Sequence, residues 1–155
     1  MFNTLSHLLY RASRDGFEPY KFRAHCAGYP QTLTLVRSKN KNIFGGFASL
    51  PWLSSPDILG QLDPFSFLFS LKNEHDEPFL FLPTKKDQTK IYQNSEGPVF
   101  GDGFDLFISG NKGSSNLGYS YSHPKFHKGS LETNRLFGGK KSFEIDEIEV
   151  FELKK

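Results

Sequence analysis

Apolar and polar positions alternate along much of this chain. Residues 31–37 read QTLTLVR, residues 43–50 read IFGGFASL, and the polar stretch 38–42 lies between them. A period of two on either side of a turn predicts a β-hairpin. Gly45 and Gly46 remove two side chains from its second strand, so an aromatic ring or another backbone is expected over that gap. Phe65, Phe67, Phe69 and Leu71 alternate with Ser66, Leu68 and Ser70, which predicts a core strand with its phenylalanines inward. The polar residues 72–77 turn the chain and residues 78–82 bring it back. Residues 51–64, which hold the only tryptophan, Trp52, read as a loop, as do the lysine-rich residues 83–90.

Residues 97–110, GPVFGDGFDLFISG, combine a glycine-rich turn with renewed alternation. A short strand beginning at Ile91-Tyr92 leads into them. Gly97 opens a turn at Pro98, Gly101-Asp102-Gly103 forms a tight turn or bulge, and Phe104, Leu106 and Ile108 share one face of the strand that follows. Residues 111–118 read as a flexible loop, and residues 120–135 show no period. In residues 141–153, Phe143 and Ile145 share one parity while Ile148 and Val150 share the other. A single strand can bury both sets only with an extra residue between them, which predicts a β-bulge near Asp146-Glu147.

At the N-terminus the period changes. Leu5, Leu8, Leu9 and Ala12 fall at helical spacing, with Asn3 or Thr4 as cap and Gly16 as stop. A second helix is predicted from Pro19 to Gly28, with Phe17 and Phe22 clasping its start and Cys26 on the Phe22 face. The expected fold is mainly β (α+β): a two-sheet antiparallel β-sandwich with two short N-terminal helices packed on it. At 155 residues the chain forms one domain, 1–155. Seventeen phenylalanines against one methionine suit half-buried strand surfaces.

Charge and chemistry narrow the function classes. A formal charge of +2 is too small to suggest a polyanion binder, so no nucleic-acid partner is expected. The lysine groups Lys39/Lys41, Lys85/Lys86/Lys90 and Lys140/Lys141 lie in three separate loops, and would make a basic patch for a phospholipid or nucleic acid only by converging. One cysteine excludes a disulfide framework and a multi-cysteine zinc site. The apolar runs are too short to cross a bilayer, so at most peripheral membrane association is expected and no integral segment. No secretory leader or Asn-x-Ser/Thr sequon is seen, which agrees with a cytoplasmic setting.

The reactive candidates each have a plainer reading. Gly101-x-Gly103 lacks the third glycine and the following helix of a dinucleotide loop. His123 and His127 have zinc-like spacing, but Pro124 interrupts it and no nearby residue completes a site. Cys26 beside His25 is a candidate thiol, although its place beside Phe22 suits an inert packing group. Asp146, Glu147 and Glu149 alternate with apolar residues as on a solvated, edge-like strand, where they are candidates to meet a basic partner. Neither metal nor cofactor is expected. Trp52, Tyr119 and Tyr121 suit either a binding surface or the core.

Four segments, in order, resemble one family. They are LLYRASRDGF, TLTLVRSKNKNIFGGFAS, FSFLFSL, and the pair FGDGFDLFIS with EIDEIEVFEL. This order is similar to the TLDc domain (TBC/LysM-associated domain) of the oxidation-resistance type, over residues 8–153. The terminal strand departs from the familiar pattern, with Phe151 where animal members carry tryptophan. The resemblance implies a β-sandwich with packed helices, a link to oxidative stress resistance, and no cofactor or catalytic mechanism. It implies binding to the soluble sector of the vacuolar-type proton-pumping ATPase (V-ATPase) and recruitment to endosome, lysosome or vacuole surfaces. On this reading Gly45, Gly46, Gly97, Gly101, Gly103 and Asp105 are a structural motif, and Asp146, Glu147 and Glu149 a partner-binding one. The alternative is a thiol-based or hydrolytic enzyme using Cys26 or a His123/His127/Asp105 cleft.

Overall fold

A computed structural model of the chain describes residues 5–55, 57–94 and 97–154. Within them the fold is mainly β and antiparallel. Its strands are β1 Leu5–Arg11, β2 Thr32–Ser38, β3 Ile43–Ala48, β4 Asp57–Leu62, β5 Phe67–Lys72 and β6 Phe79–Pro83. After these come β7 Lys90–Asn94, β8 Gly97–Phe100, β9 Leu106–Ser109, β10 Lys112–Ser115, β11 Tyr121–Ser122 and β12 Ser142–Lys154. The helices are short: α1 Ala12–Asp15, α2 Pro19–Cys26 and α3 Leu131–Asn134.

The expectation of two separate sheets is met only in part. One hydrogen-bonded path, β11-β6-β5-β3-β2-β12-β10-β9-β8-β7-β4, runs through the described strands, with β1 also paired to β12. β12 makes this possible. Its start pairs with β10, from Ser142 to Glu144, and its remainder lies between β2 and β1. The register slips between Ile145 and Glu147, where the two parity sets predicted a bulge. The slip buries Phe143 and Ile145 before it and Ile148 and Val150 after it.

The two arms of this path meet through aromatic rings. A methyl group built on Gly46 of β3 would lie 2.7 Å from the Phe100 ring of β8. Trp52 packs edge-on to Phe100 at 5.6 Å and to Phe22 of α2 at 5.4 Å. Its indole N–H donates to the Thr32 hydroxyl at 3.0 Å, so Trp52 is a core anchor although it lies outside the named strands. Phe44 stacks on Phe137 at 5.0 Å and meets Phe143 at 5.2 Å.

Several sequence expectations are corrected. Leu5–Arg11 is a strand, and only Ala12–Asp15 of the expected first helix is helical. The upper half of β12 offers unpaired backbone that β1 fills, and this tertiary pairing overrides weak helical spacing. A register shift between Leu8 and Tyr10 puts both Leu9 and Tyr10 in the core, which mimics a helical stripe. The expected caps Asn3 and Thr4 lie outside the described residues. Within residues 51–64, the segment Asp57–Leu62 forms the irregular strand β4, where Gly60 sits against the Tyr92 ring. Residues 112–115 form β10, not a flexible loop. The second helix forms as expected, with Glu18 as cap, Pro19 at its first turn, and Phe22 and Cys26 buried.

The largest correction concerns β5. Leu68 and Ser70 face the core, while Phe67 and Phe69 lie on the opposite face and Phe65 precedes the strand at 73% exposure. Ser70 stays inside because its hydroxyl donates to the Leu136 carbonyl at 3.0 Å and accepts from Asn73 at 2.7 Å.

Candidate functional site

The inversion in β5 extends across its neighbours. Directly opposed residues in antiparallel strands share a face. Leu8 pairs with Phe151, Phe151 with Leu33, Leu33 with Phe47, and Phe47 with Phe67. This apolar row crosses β1, β12, β2, β3 and β5, and every residue in it is partly exposed. The Phe47 and Phe67 rings stack at 5.1 Å. The adjacent row carries Leu35, Gly45, Phe69 and Leu80. On the inward face of the same strands stand Thr32, Thr34, Ser38 and Ser70, all fully buried. An alternating strand ordinarily shows its hydroxyls to water and its leucines to the core. Here apolar side chains stand on the outward side as well, while Val36, Phe44, Leu68 and Val150 fill the inward one.

The two glycines of β3 serve this geometry. A methyl group on Gly45 would lie 1.8 Å from the Thr34 carbonyl oxygen and 2.9 Å from the Phe69 ring, which covers the outer face at that point. Gly46 makes the corresponding room for Phe100 on the inner face. The ring and backbone expected over this pair are both present.

Asp146, Glu147 and Glu149 border the outer apolar face, but β12 is an interior strand and not an edge. Glu149 pairs with Arg11 at 2.6 Å. Asp146 takes both Lys41 at 2.9 Å and Arg37 at 3.0 Å. The hydrogen bonds from Lys41 and then Arg37 hold its carboxyl below the ordinary range. Glu147 accepts from the Ser13 hydroxyl at 2.5 Å and the Ser13 amide at 3.0 Å. A shallow hollow of about 130 Å³ lies among Leu35, Arg37, Ile43, Glu147 and Glu149. Asp146 and Glu149 give the apolar face an ion-paired border, and Glu147 a hydrogen-bonded one, in place of a bare acidic strand.

The glycine stretch is a corner held by a carboxylate. Gly97 begins β8 against the Ile108 carbonyl, and Gly103 sits against the Tyr119 ring. Gly101, at φ 94°, would place a methyl group 2.4 Å from an Asp105 oxygen. Asp105 is fully buried. It accepts from the amides of Gly118 at 3.2 Å, Ser120 at 2.9 Å and Tyr121 at 3.1 Å, fastening the segment that leads into β11. Burial pushes its pKa up to about 6, and those backbone donors oppose the rise. Leu106 and Ile108 face the core as expected, whereas Phe104 precedes β9 and is 43% exposed.

The reactive candidates do not assemble. Cys26 is fully buried, and burial followed by the nearby Asp15 pushes its thiol well above the ordinary range. A thiol held protonated in the core is a poor nucleophile. His123 packs among Phe79, Phe81 and Phe126, His127 is exposed, and Asp105 directs its carboxylate to backbone amides. Among the described residues no group of three or more His, Cys, Asp or Glu is placed to hold a metal ion. No described helix is long and apolar enough to cross a membrane.

Sequence reasoning missed Leu33, Leu35 and Phe47 as surface residues. The available signal was the run of hydroxyls between them, since Thr32, Thr34 and Ser38 alternate as regularly as the leucines.

A family model described as the TLDc domain matches residues 3–154, almost the whole chain. None of the curated proteins compared with the chain matches it.

Proposed function

The chain belongs to the TLDc domain family, and from that premise we propose a non-enzymatic protein-interaction module that binds the soluble sector of a vacuolar-type proton-pumping ATPase. The two arms of the sheet act as the layers of a sandwich, and the outer apolar face of β1, β12, β2, β3 and β5 is the docking surface. The observation that carries this reading is the row Leu8, Phe151, Leu33, Phe47 and Phe67, which turns apolar groups outward while hydroxyls go inward. A contiguous exposed apolar surface rimmed by charge suits a protein partner.

The mechanism is differential binding. The domain shifts the pump between assembled and disassembled states only by as much as it binds one of them more tightly. It works in the cytoplasm and is recruited to vacuole, lysosome or endosome surfaces through the pump. The association of the family with oxidative stress resistance then follows from control of the pump, with no chemistry at Cys26.

The test is binding of purified soluble sector to the wild-type domain and to the variants Leu35→Asp and Phe47→Asp. Both positions are partly exposed on the outer face, so both variants should fold. Loss of a central apolar anchor is expected to weaken binding about tenfold or more. Unchanged affinity in both variants would remove the face from the mechanism, and an absence of wild-type binding would remove the partner.

A further inference from the structure

Of the three lysine groups noted in the sequence, two converge and gain a member from β10. Lys39 and Asn40 in the β2–β3 turn, Lys112 at the start of β10, Lys140 before β12, and Ser142 and Glu144 in β12 line one open cleft of about 470 Å³. Lys85 lines a different cleft, beside Asp102 and Tyr119. Lys41, which shares the β2–β3 turn with Lys39, is instead paired with Asp146. Among the described residues, Lys39, Lys112 and Lys140 make no ion pair, and Glu144 is the single carboxylate in the cleft. Three lysines without an ion pair, from separate elements, therefore line one space.

The walls are stitched together by backbone. The Lys39 amide donates to the Glu144 carbonyl at 3.0 Å, and the Ile145 amide donates to the Asn111 carbonyl at 2.7 Å. The Asn42 side chain donates to the Phe137 carbonyl at 2.8 Å. Gly138 lies so close to Phe143 that a methyl group there would come within 2.0 Å of the ring. The lysine stems thus leave fixed positions, which lowers the ordering cost of gathering them on one anion.

An aromatic surface adjoins the cleft. Lys112, Ser142 and Phe143 also line a shallow hollow with Phe107. The Phe104 ring stacks on Phe107 at 5.7 Å and is 43% exposed. Phe104 also has φ 60°, a conformation a bulky residue adopts rarely and at a cost. Cations beside an outward aromatic are the pairing that favours the charged interface of a bilayer.

We propose that this cleft binds the phosphorylated headgroup of a polyphosphoinositide in a membrane. Lys39, Lys112 and Lys140 take the phosphates, and Phe104 enters the interfacial layer. This site is distinct from the apolar docking face, so it neither rests on the pump assignment nor falls with it.

Vesicle flotation tests it, using phosphatidylcholine vesicles doped with phosphatidylinositol 4,5-bisphosphate. Controls are vesicles matched in charge with phosphatidylserine, and soluble inositol trisphosphate measured by calorimetry. The variants are Lys39→Ala/Lys112→Ala/Lys140→Ala, Phe104→Ser, and the distant pair Lys85→Ala/Lys86→Ala, each checked for native circular dichroism. Wild type is expected to float with the bisphosphate vesicles. The triple variant should lose about a hundredfold in affinity, at roughly fivefold per lysine, and the distant pair should bind as wild type. Phe104→Ser should weaken vesicle binding without changing binding of the soluble headgroup. An absence of both flotation and headgroup binding, equal binding to phosphatidylserine vesicles, or an unaffected triple variant would overturn the site. Headgroup binding without vesicle binding, or vesicle binding indifferent to Phe104→Ser, would overturn the membrane as its source.

Discussion

Replacing Asp105 with asparagine isolates the energetic cost of the buried corner. The carboxyl moves from its ordinary 3.8 in the unfolded chain to about 6 in the folded one. The folded state therefore binds this proton more tightly than the unfolded state does. Such a group contributes stability that is fully present below the unfolded pKa and is lost as pH rises through the folded value. Over the whole window the contribution is about 3 kcal/mol. Between about pH 7.5 and pH 5 the two titration curves give about 1.4 kcal/mol of it. Asp105 is fully buried, so solvent screening does not reduce this figure appreciably. Wild type should thus gain about 1.4 kcal/mol over Asp105→Asn on acidification across that interval, or about 3–5 °C in relative melting temperature. Asp15, which its hydrogen bond to Arg14 lowers to about 2, loses its favourable contribution only below that interval, and it is common to both proteins. The assay is urea denaturation of both proteins at several pH values. Parallel stability curves would refute the reasoning and show that the amide donors of Gly118, Ser120 and Tyr121 offset the cost of burial in full.

Three further outcomes are expected. Gly46→Ala should cost about 1–3 kcal/mol by crowding the Phe100 ring and Leu68, while Gly45→Ala, which meets the Thr34 carbonyl, should cost more than Gly46→Ala; thermal melts rank the two. Cys26 should resist thiol labelling in the native protein and react at the rate of a free cysteine once urea unfolds the chain; fast native labelling would revive the thiol chemistry. Trp52 fluorescence should be blue-shifted and shielded from aqueous quenchers until global unfolding, and Trp52→Phe, which strands the Thr32 hydroxyl, should cost about 1–3 kcal/mol by denaturation.

Much of the fold was legible because local rules and tertiary pairing agree. Pro19 and Gly28 bracket α2, and residues 39–42 join β2 to β3. The parity change across Asp146 located the bulge in β12. Elsewhere the deciding partner is distant in sequence. Leu5–Arg11 becomes a strand because residues 149–154 need a neighbour, and nothing within β1 announces that. In β5, alternation shows that two faces exist, but the choice of inward face depends on Leu136, which accepts the Ser70 hydroxyl from 66 residues away. The same limit hid the outer row. Thr32 is acceptable in the core because Trp52 donates to it, and that contact depends on where the segment after β3 returns. Lysine spacing could not show that Lys39 and Lys140 share a cleft with Lys112, because only the completed β12 pairings bring those three elements together.

The long strand β12 governs the order in which this molecule can be made. It is the last described element, yet it fastens to β1, β2 and β10. On a ribosome, the earlier strands must wait with their joining edges open until residue 154 has emerged. A chain halted just before Ser142 would hold both arms without the strand that joins β2 to β10, and would be a natural substrate for chaperones.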